Sequence, residues 1–124
     1  MLIDSNLIIY ATQPAYIKLH RWLIKNASHY SAITRLETLG YPRLQEVEKQ
    51  AIAAILDSLE MLMMTETTLK IAINLRQQRK MSVGDALIAA TCLEHNLPLA
   101  TANHIDFEKI ADLTIYNPLN NVVV

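Results

Sequence analysis

Leu2-Ile3-Asp4-Ser5-Asn6-Leu7-Ile8-Ile9-Tyr10 is the stretch that decides the fold. Leu2 to Asp4 reads as a short buried strand that stops at an acid. Asn6 to Ala11 then resumes as a helical turn, broken before Pro14. A strand that turns at once into a helix opens a β/α unit. Three more acids stand in the same relation to later segments. Glu37 lies just past Ser31-Ala32-Ile33-Thr34, and Asp85 opens the apolar run Ala86-Leu87-Ile88-Ala89-Ala90. Asp106 comes shortly after Leu97-Pro98-Leu99-Ala100-Thr101. In an alternating β/α chain the strands run parallel, and their C-terminal ends line one edge of the sheet. Acids distant in sequence then meet in one cleft, where carboxylates repel and raise each other's pKa. A hard divalent cation with oxygen ligands relieves that repulsion, which makes Asp4, Glu37, Asp85 and Asp106 a candidate metal site.

Periodicity supplies the remaining elements. Tyr16, Leu19, Trp22 and Leu23 recur at helical spacing across Ala15 to Asn26, and His29 to Ile33 reads as a second strand. Thr34 starts a helix that ends near Gly40 or Pro42. Leu44, Val47, Ala51, Ile55 and Leu59 mark one face of a helix from Leu44 to Ser58. Glu60 to Thr65 is a continuous apolar run whose length suits a buried parallel strand, with Met61, Met63 and Met64 filling core. Thr67 to Lys80 is helical. Ser82 to His95 is a helix so apolar at its centre that it is either buried or partner-facing. Leu97 to Thr101 is a strand, Ile105 to Ala111 a short helix and Leu113 to Tyr116 a last strand. The order is β-α-α-β-α-α-β-α-α-β-α-β, with no repeat, linker or low-complexity segment, and residues 1–124 read as a single domain. The C-terminal Val122-Val123-Val124 is suited to packing or to pairing with another chain.

Bulk properties bound the function. Hydrophobic residues make up 52% and charged residues 19% of the 124, a globular balance. No apolar stretch reaches the roughly 18–20 residues needed to span a bilayer. Asp4 interrupts the apolar start and no basic region precedes it, unlike a signal peptide. A lone cysteine, Cys92, makes no internal disulfide, which fits a reducing, cytoplasmic location. The net charge of −1 gives no overall nucleic-acid signature. If metal neutralises four clustered acids, however, the rest of the chain is net positive. The two glycines, Gly40 and Gly84, exclude a Gly-rich phosphate loop.

Three of the acids have a competing explanation. Thr34-Arg35-Leu36-Glu37 and Ser82-Val83-Gly84-Asp85 have the capping-box form, and Asn103-His104-Ile105-Asp106 is close to it. The readings are compatible, because a first-turn carboxylate can project toward the cleft while the helix dipole keeps it ionised. Glu46, Glu48, Asp57, Glu60, Glu66, Glu94, Glu108 and Asp112 read as solvated faces or turn neighbours. His20, His29, His95 and His104 show no metal-ligand spacing. Cys92 and Trp22 read as packing residues.

These segments resemble the PIN-domain ribonucleases, especially the VapC-type toxins of toxin–antitoxin pairs. Leu2 to Tyr10 is similar to the family's opening strand and Asp-Thr/Ser-Asn turn, with Ser5 where threonine is common. Ser31 to Glu37 is similar to its second acidic segment and Asp85 to Thr91 to its third. Thr101-Ala102-Asn103-His104-Ile105-Asp106-Phe107 is similar to its Thr-x-Asn-x-x-Asp-Phe segment. The resemblance implies a PIN-like, Rossmann-like three-layer α/β/α sandwich with a mainly parallel central sheet. It also implies a Mg²⁺ or Mn²⁺ site at Asp4, Glu37, Asp85 and Asp106, endonucleolytic cleavage of RNA, a homodimer, and a cognate antitoxin that blocks the cleft.

On that basis Asp4, Asp85 and Asp106 hold metal, and Glu37 binds metal or orients the attacking water. Ser5, Asn6, Thr101 and Asn103 orient ligands or phosphate. Arg35 and Arg43 lie close to the second acidic segment and Arg76, Arg79 and Lys80 extend a surface for RNA phosphates; for the last three, helix C-terminal charge is an equal explanation. Two rivals stand beside this reading. A domain of this fold can bind RNA or protein without cutting. A haloacid-dehalogenase-like phosphatase also places Asp-x-Asn after its first strand, but it uses a downstream lysine, and only Lys80 and Lys109 approach Asp85 or Asp106 in sequence.

Overall fold

A computed structural model describes residues 1–122; Val123 and Val124, which carry most of the expectation for an apolar C-terminus, lie outside the described residues. The strands are Leu2–Ile3 (β1), His29–Ser31 (β2), Glu60–Leu62 (β3), Leu99–Ala100 (β4) and Ile115–Tyr116 (β5). All pairings are parallel, in the order β3-β2-β1-β4-β5. The helices are Ser5–Ala11 (α1), Ile17–Asn26 (α2), Ala32–Leu39 (α3), Glu46–Asp57 (α4), Glu66–Gln78 (α5), Val83–His95 (α6), His104–Phe107 (α7) and Leu119–Val122 (α8). A 3₁₀ turn, Pro14–Tyr16, precedes α2.

Neighbouring residues of the central strands split the core in two, because side chains alternate across a sheet. Leu2 and Leu99 belong to a cluster with Leu75, Leu87, Ile88 and Phe107, under α5, α6 and α7. Ile3 and Ala100 belong to the opposite cluster with Leu7, Leu19, Leu23, Ile52 and Leu56, under α1, α2 and α4. Helices thus cover both faces of a parallel sheet, giving the expected three-layer α/β/α sandwich. The chain steps from β1 through β2 to β3, then returns to the other side of β1 for β4 and β5. Such a reversal leaves a crevice beyond the C-terminal ends of the two central strands.

Four sequence expectations need correction. The Glu60-to-Thr65 run is not a buried strand: β3 ends at Leu62 and lies at the sheet edge, where Met61, Met63 and Met64 are exposed. An apolar run reports strand character but not whether a neighbour covers its outer side. α3 begins at Ala32, capped by the Ser31 hydroxyl, so Thr34 lies inside the helix and Glu37 in its second turn, not in a capping box. The buried face of α4 is Ile52, Ile55 and Leu56, while Val47 is exposed. Glu94 is not a solvated acid: it accepts hydrogen bonds from Thr65 and Thr68. By contrast, the apolar centre of α6 is buried as one of its two readings required: Ala86 to Cys92 are all buried, which removes them as partner surface.

Candidate metal and active site

Asp4 follows β1 directly at the reversal point and caps α1. It is 3% exposed, and both of its oxygens are held. Oδ1 accepts from the Ser5 backbone N–H at 2.8 Å. Oδ2 accepts from Thr101 Oγ1 at 2.7 Å, across the β1/β4 crevice. Thr101 is itself fixed, accepting at Oγ1 from the Asn103 backbone N–H at 2.9 Å. Burial pushes the Asp4 carboxyl up to about 6; the bonds from Thr101 and Ser5 oppose the rise, and the charges of Asp85 and Glu37 add to it.

Glu37 reaches the same region from α3. Ser5 Oγ donates to Glu37 Oε1 at 2.7 Å and lies 2.9 Å from Thr34 Oγ1. The other Glu37 oxygen lies over Gly84, where an added Cβ would stand 2.7 Å from Oε2. Gly84 is thus the first-turn position of α6 that lets α3 and α6 bring two acids together. Asp85 follows in the chain, its backbone N–H donating to the Ser82 hydroxyl at 3.1 Å, so this half of the expected capping box is present. Partial burial raises the Asp85 carboxyl, the Ser82 contact opposes this, and the charges of Asp106 and Glu37 raise it further.

Asp106 lies on α7 and is exposed; Asn103 makes no side-chain cap there. Asp85 and Asp106 line one cleft of ≈ 470 Å³ together with Arg79, Lys80 and Lys109, while Asp4 and Glu37 are not in its lining. The electrostatic neighbourhood nevertheless links all four carboxylates. None of them forms an ion pair among the described residues. Nor, among the described residues, do three Asp, Glu, His or Cys side chains already converge as a closed ligand shell. A hard cation such as Mg²⁺ takes one or two protein carboxylates and keeps several waters. A spaced, all-oxygen, uncompensated set of acids fits such an ion.

The other expected site residues divide. Ser5, Thr101 and Asn103 bond to the acids or to their supports as above. Asn6 is half-buried in the first turn of α1, and nothing ties its side chain to the acids. Arg79 and Lys80 enter the cleft. Arg35 instead hydrogen-bonds the Tyr30 hydroxyl at 3.4 Å, and Arg76 Nε donates to the Met81 carbonyl at 3.1 Å. Arg43 is an exposed residue with φ 63° in the connection between α3 and α4. His104 pairs with Glu108 at 3.2 Å on the surface, and Trp22 stacks on Tyr116. Three participants were not foreseen: Thr34, which supports Ser5, Gly84 and Lys109. Gly84 carried a readable signal, since glycine inside a helix is unfavourable by about 1 kcal/mol relative to alanine unless something needs the space.

The sequence profile of the PIN domain matches residues 1–113. The chain belongs to the PIN-domain family. A PIN domain implies a nuclease, and PIN nucleases generally use divalent metal ions, in keeping with the acids gathered here. No curated protein matches the chain. Solved structures do match this PIN domain. A toxin–antitoxin complex from Klebsiella pneumoniae aligns at TM-score 0.76 and 24% identity, over 94% of this chain and 96% of that one. VapBC2 from Rickettsia felis, bound to a promoter DNA fragment, aligns at 0.77 and 22% identity with the same coverage. FitAcB from Neisseria gonorrhoeae aligns at 0.73 and 26% identity, again over 94% and 96%. Among the described residues, no helix is long and apolar enough to cross a membrane.

Proposed function

We propose that this PIN domain is a metal-dependent endoribonuclease and the toxin of a toxin–antitoxin pair. The observation that carries the reading is that four carboxylates from four separate segments are linked as electrostatic neighbours, with no ion-pair partner among the described residues. Its likeness over nearly the whole chain to a protein described as a toxin–antitoxin complex supports the second half. Asp4, Asp85 and Asp106 would hold a Mg²⁺ or Mn²⁺ ion, directly or through water. When bound, the ion neutralises phosphate charge and lowers the pKa of water.

The chain's own residues supply the rest. Ser5 N–H and Thr101 fix Asp4 with both oxygens placed. Ser5 Oγ fixes one Glu37 oxygen and leaves the exposed carboxylate to orient, and take a proton from, the attacking water. The cations of the cleft draw the RNA backbone toward Asp85 and Asp106. Partner surface remains at the exposed apolar side chains Leu36, Met63, Leu69, Ile73 and Val83, which suit an antitoxin and a second copy of the chain.

The test is cleavage of total cellular RNA with Mg²⁺, with Mn²⁺ and with EDTA. Discrete fragments that require metal are expected, and Asp4→Asn, Asp85→Asn and Asp106→Asn should each lose cleavage by at least a hundredfold while remaining folded. Normal cleavage by all three variants would overturn the site. Arrest of RNA in a complex without any cut would favour the binding-module reading. Metal-dependent hydrolysis of a small phosphomonoester in place of RNA would favour the phosphatase.

A further inference from the structure

The cleft that holds Asp85 and Asp106 also holds three cations, and the acids do not neutralise them. Arg79 stands where the chain leaves α5 in an extended conformation, φ −158° and ψ 158°. Its Nη2 donates to Gln78 Oε1 at 3.3 Å. Its Nη1 is buried and has no hydrogen-bond partner among the described residues. Buried donors are almost always satisfied, so a guanidinium nitrogen shielded from solvent and without an acceptor among the described residues gains a partner when the side chain turns toward an anion in the cleft that Arg79 lines. Lys80 adjoins Arg79, and Lys109 comes to the same cleft from just beyond α7. None of the three pairs with a carboxylate among the described residues. Arg79 is the C-cap of α5 and Lys80 follows it, so helix C-terminal charge stands beside this reading for both; that explanation is weakest for Lys109, which comes to the same cleft from beyond the four-residue α7.

We propose that Arg79, with Lys80 and Lys109, forms a binding rim for an RNA backbone phosphate that lies beside the acids, and that Arg79 is its principal contact. The proposal rests on the ribonuclease reading and adds to it which cations hold substrate. A phosphodiester suits the cleft because its two non-bridging oxygens share one negative charge in the spacing a planar guanidinium matches. Its flexible backbone also places a neighbouring phosphate at the acids. Arg35, Arg43 and Arg76 stand outside this rim.

The experiment measures binding of a fluorescein-labelled single-stranded RNA of mixed sequence, with EDTA and with Mg²⁺, over a range of salt. It uses the full chain as wild type, Arg79→Ala, Arg79→Lys, Lys109→Ala and, as control, Lys25→Ala on the exposed end of α2. KM and kcat are measured on any RNA that the wild type cuts. Arg79→Ala should weaken affinity roughly tenfold or more, raise KM with kcat little changed, and reduce the salt slope by about one. Arg79→Lys should recover part of the loss, because it restores the charge without the paired donors, and it also serves if the alanine variant fails to fold. Lys25→Ala should bind as wild type. Unchanged binding by both Arg79 variants overturns the rim and leaves the nuclease standing. Arg79-dependent RNA binding without cleavage in any metal sustains the rim and overturns the nuclease. Wild type that neither binds nor cuts RNA, or that instead binds polyglutamate through Arg79, overturns the rim.

Discussion

Asp4 combines burial with ionisation, and its two neighbours decide how well it tolerates both. With its carboxyl raised to about 6 from 3.8, the folded protein binds the proton more tightly than the unfolded chain does. The stability this proton confers is full below about pH 4 and is lost as pH rises through 6. Asp4→Asn removes the charge and keeps an oxygen for the Ser5 N–H, so in EDTA at pH 7.5 it should stabilise the protein by about 1–3 kcal/mol. Urea unfolding at pH 7.5 and at pH 4 checks this: the advantage should shrink at the lower pH, and a destabilised variant at pH 7.5 would contradict the burial argument. Gly84 makes a complementary case. Gly84→Ala places a methyl against Glu37 Oε2, a movable atom, so the helix gains propensity while the carboxylate is driven off Ser5. Melting should change little and RNA cleavage should fall by about tenfold or more; unchanged cleavage would mean that Glu37 needs no fixed position. The acids themselves were legible in the sequence because each adjoins a recognisable segment: Asp4 and Asp106 come after apolar runs, Glu37 comes after Ser31-Ala32-Ile33-Thr34, and Asp85 opens an apolar run. Thr34 was not, because a hydroxyl inside a helix gives no sign of which distant side chain it will meet.

The α5–α6 hairpin shows how element boundaries and element pairing differ in legibility. Both helices followed from the sequence to within a residue or two, with Ser82 read as a hydroxyl cap, whereas Thr65, read there as the end of a strand, is the cap of α5. Their fastening did not. Thr65 and Thr68 at the start of α5 both donate to Glu94 near the end of α6, closing the hairpin at the end opposite the cleft. The Thr68 bond leads the effects that hold the Glu94 carboxyl below its ordinary value. A depressed carboxyl contributes stability above its unfolded pKa, which is lost as pH falls through the folded one. Thr68→Val should therefore cost about 1–2 kcal/mol at pH 7 and less at pH 3, read by thermal unfolding at both values. An equal loss at the two would show that packing and the lost Thr65 N–H bond to the Thr68 hydroxyl, not the carboxylate, dominate. The misjudged β3 belongs to the same scale: length and hydrophobicity identify a strand, while the order β3-β2-β1-β4-β5 that puts it at an edge is a property of the whole sheet.

For the whole molecule, the central consequence is that folding gathers like charges. The reversal between β1 and β4, the α3–α6 approach and the short α7 bring Asp4, Glu37, Asp85 and Asp106 into one field, with no counter-cation bonded to them among the described residues. The fold therefore carries a repulsion that a divalent ion removes and that the unfolded chain does not feel. Any ion that binds only the folded state stabilises it by mass action, on the order of 3 kcal/mol at about a hundredfold excess over Kd. For a domain of this size that is several degrees in Tm. Mg²⁺ and Mn²⁺ should each raise Tm in a saturable way at fixed ionic strength, whereas matched NaCl, which only screens exposed charges, should do less. Asp85→Asn and Asp106→Asn should blunt the metal-induced rise, and Asp4→Asn should begin from a higher metal-free Tm and gain least. This measurement is independent of any RNA. A saturable rise that survives in all three variants would move the ion to another part of the protein, and no rise in wild type would leave four carboxylates gathered without the ion that justifies them.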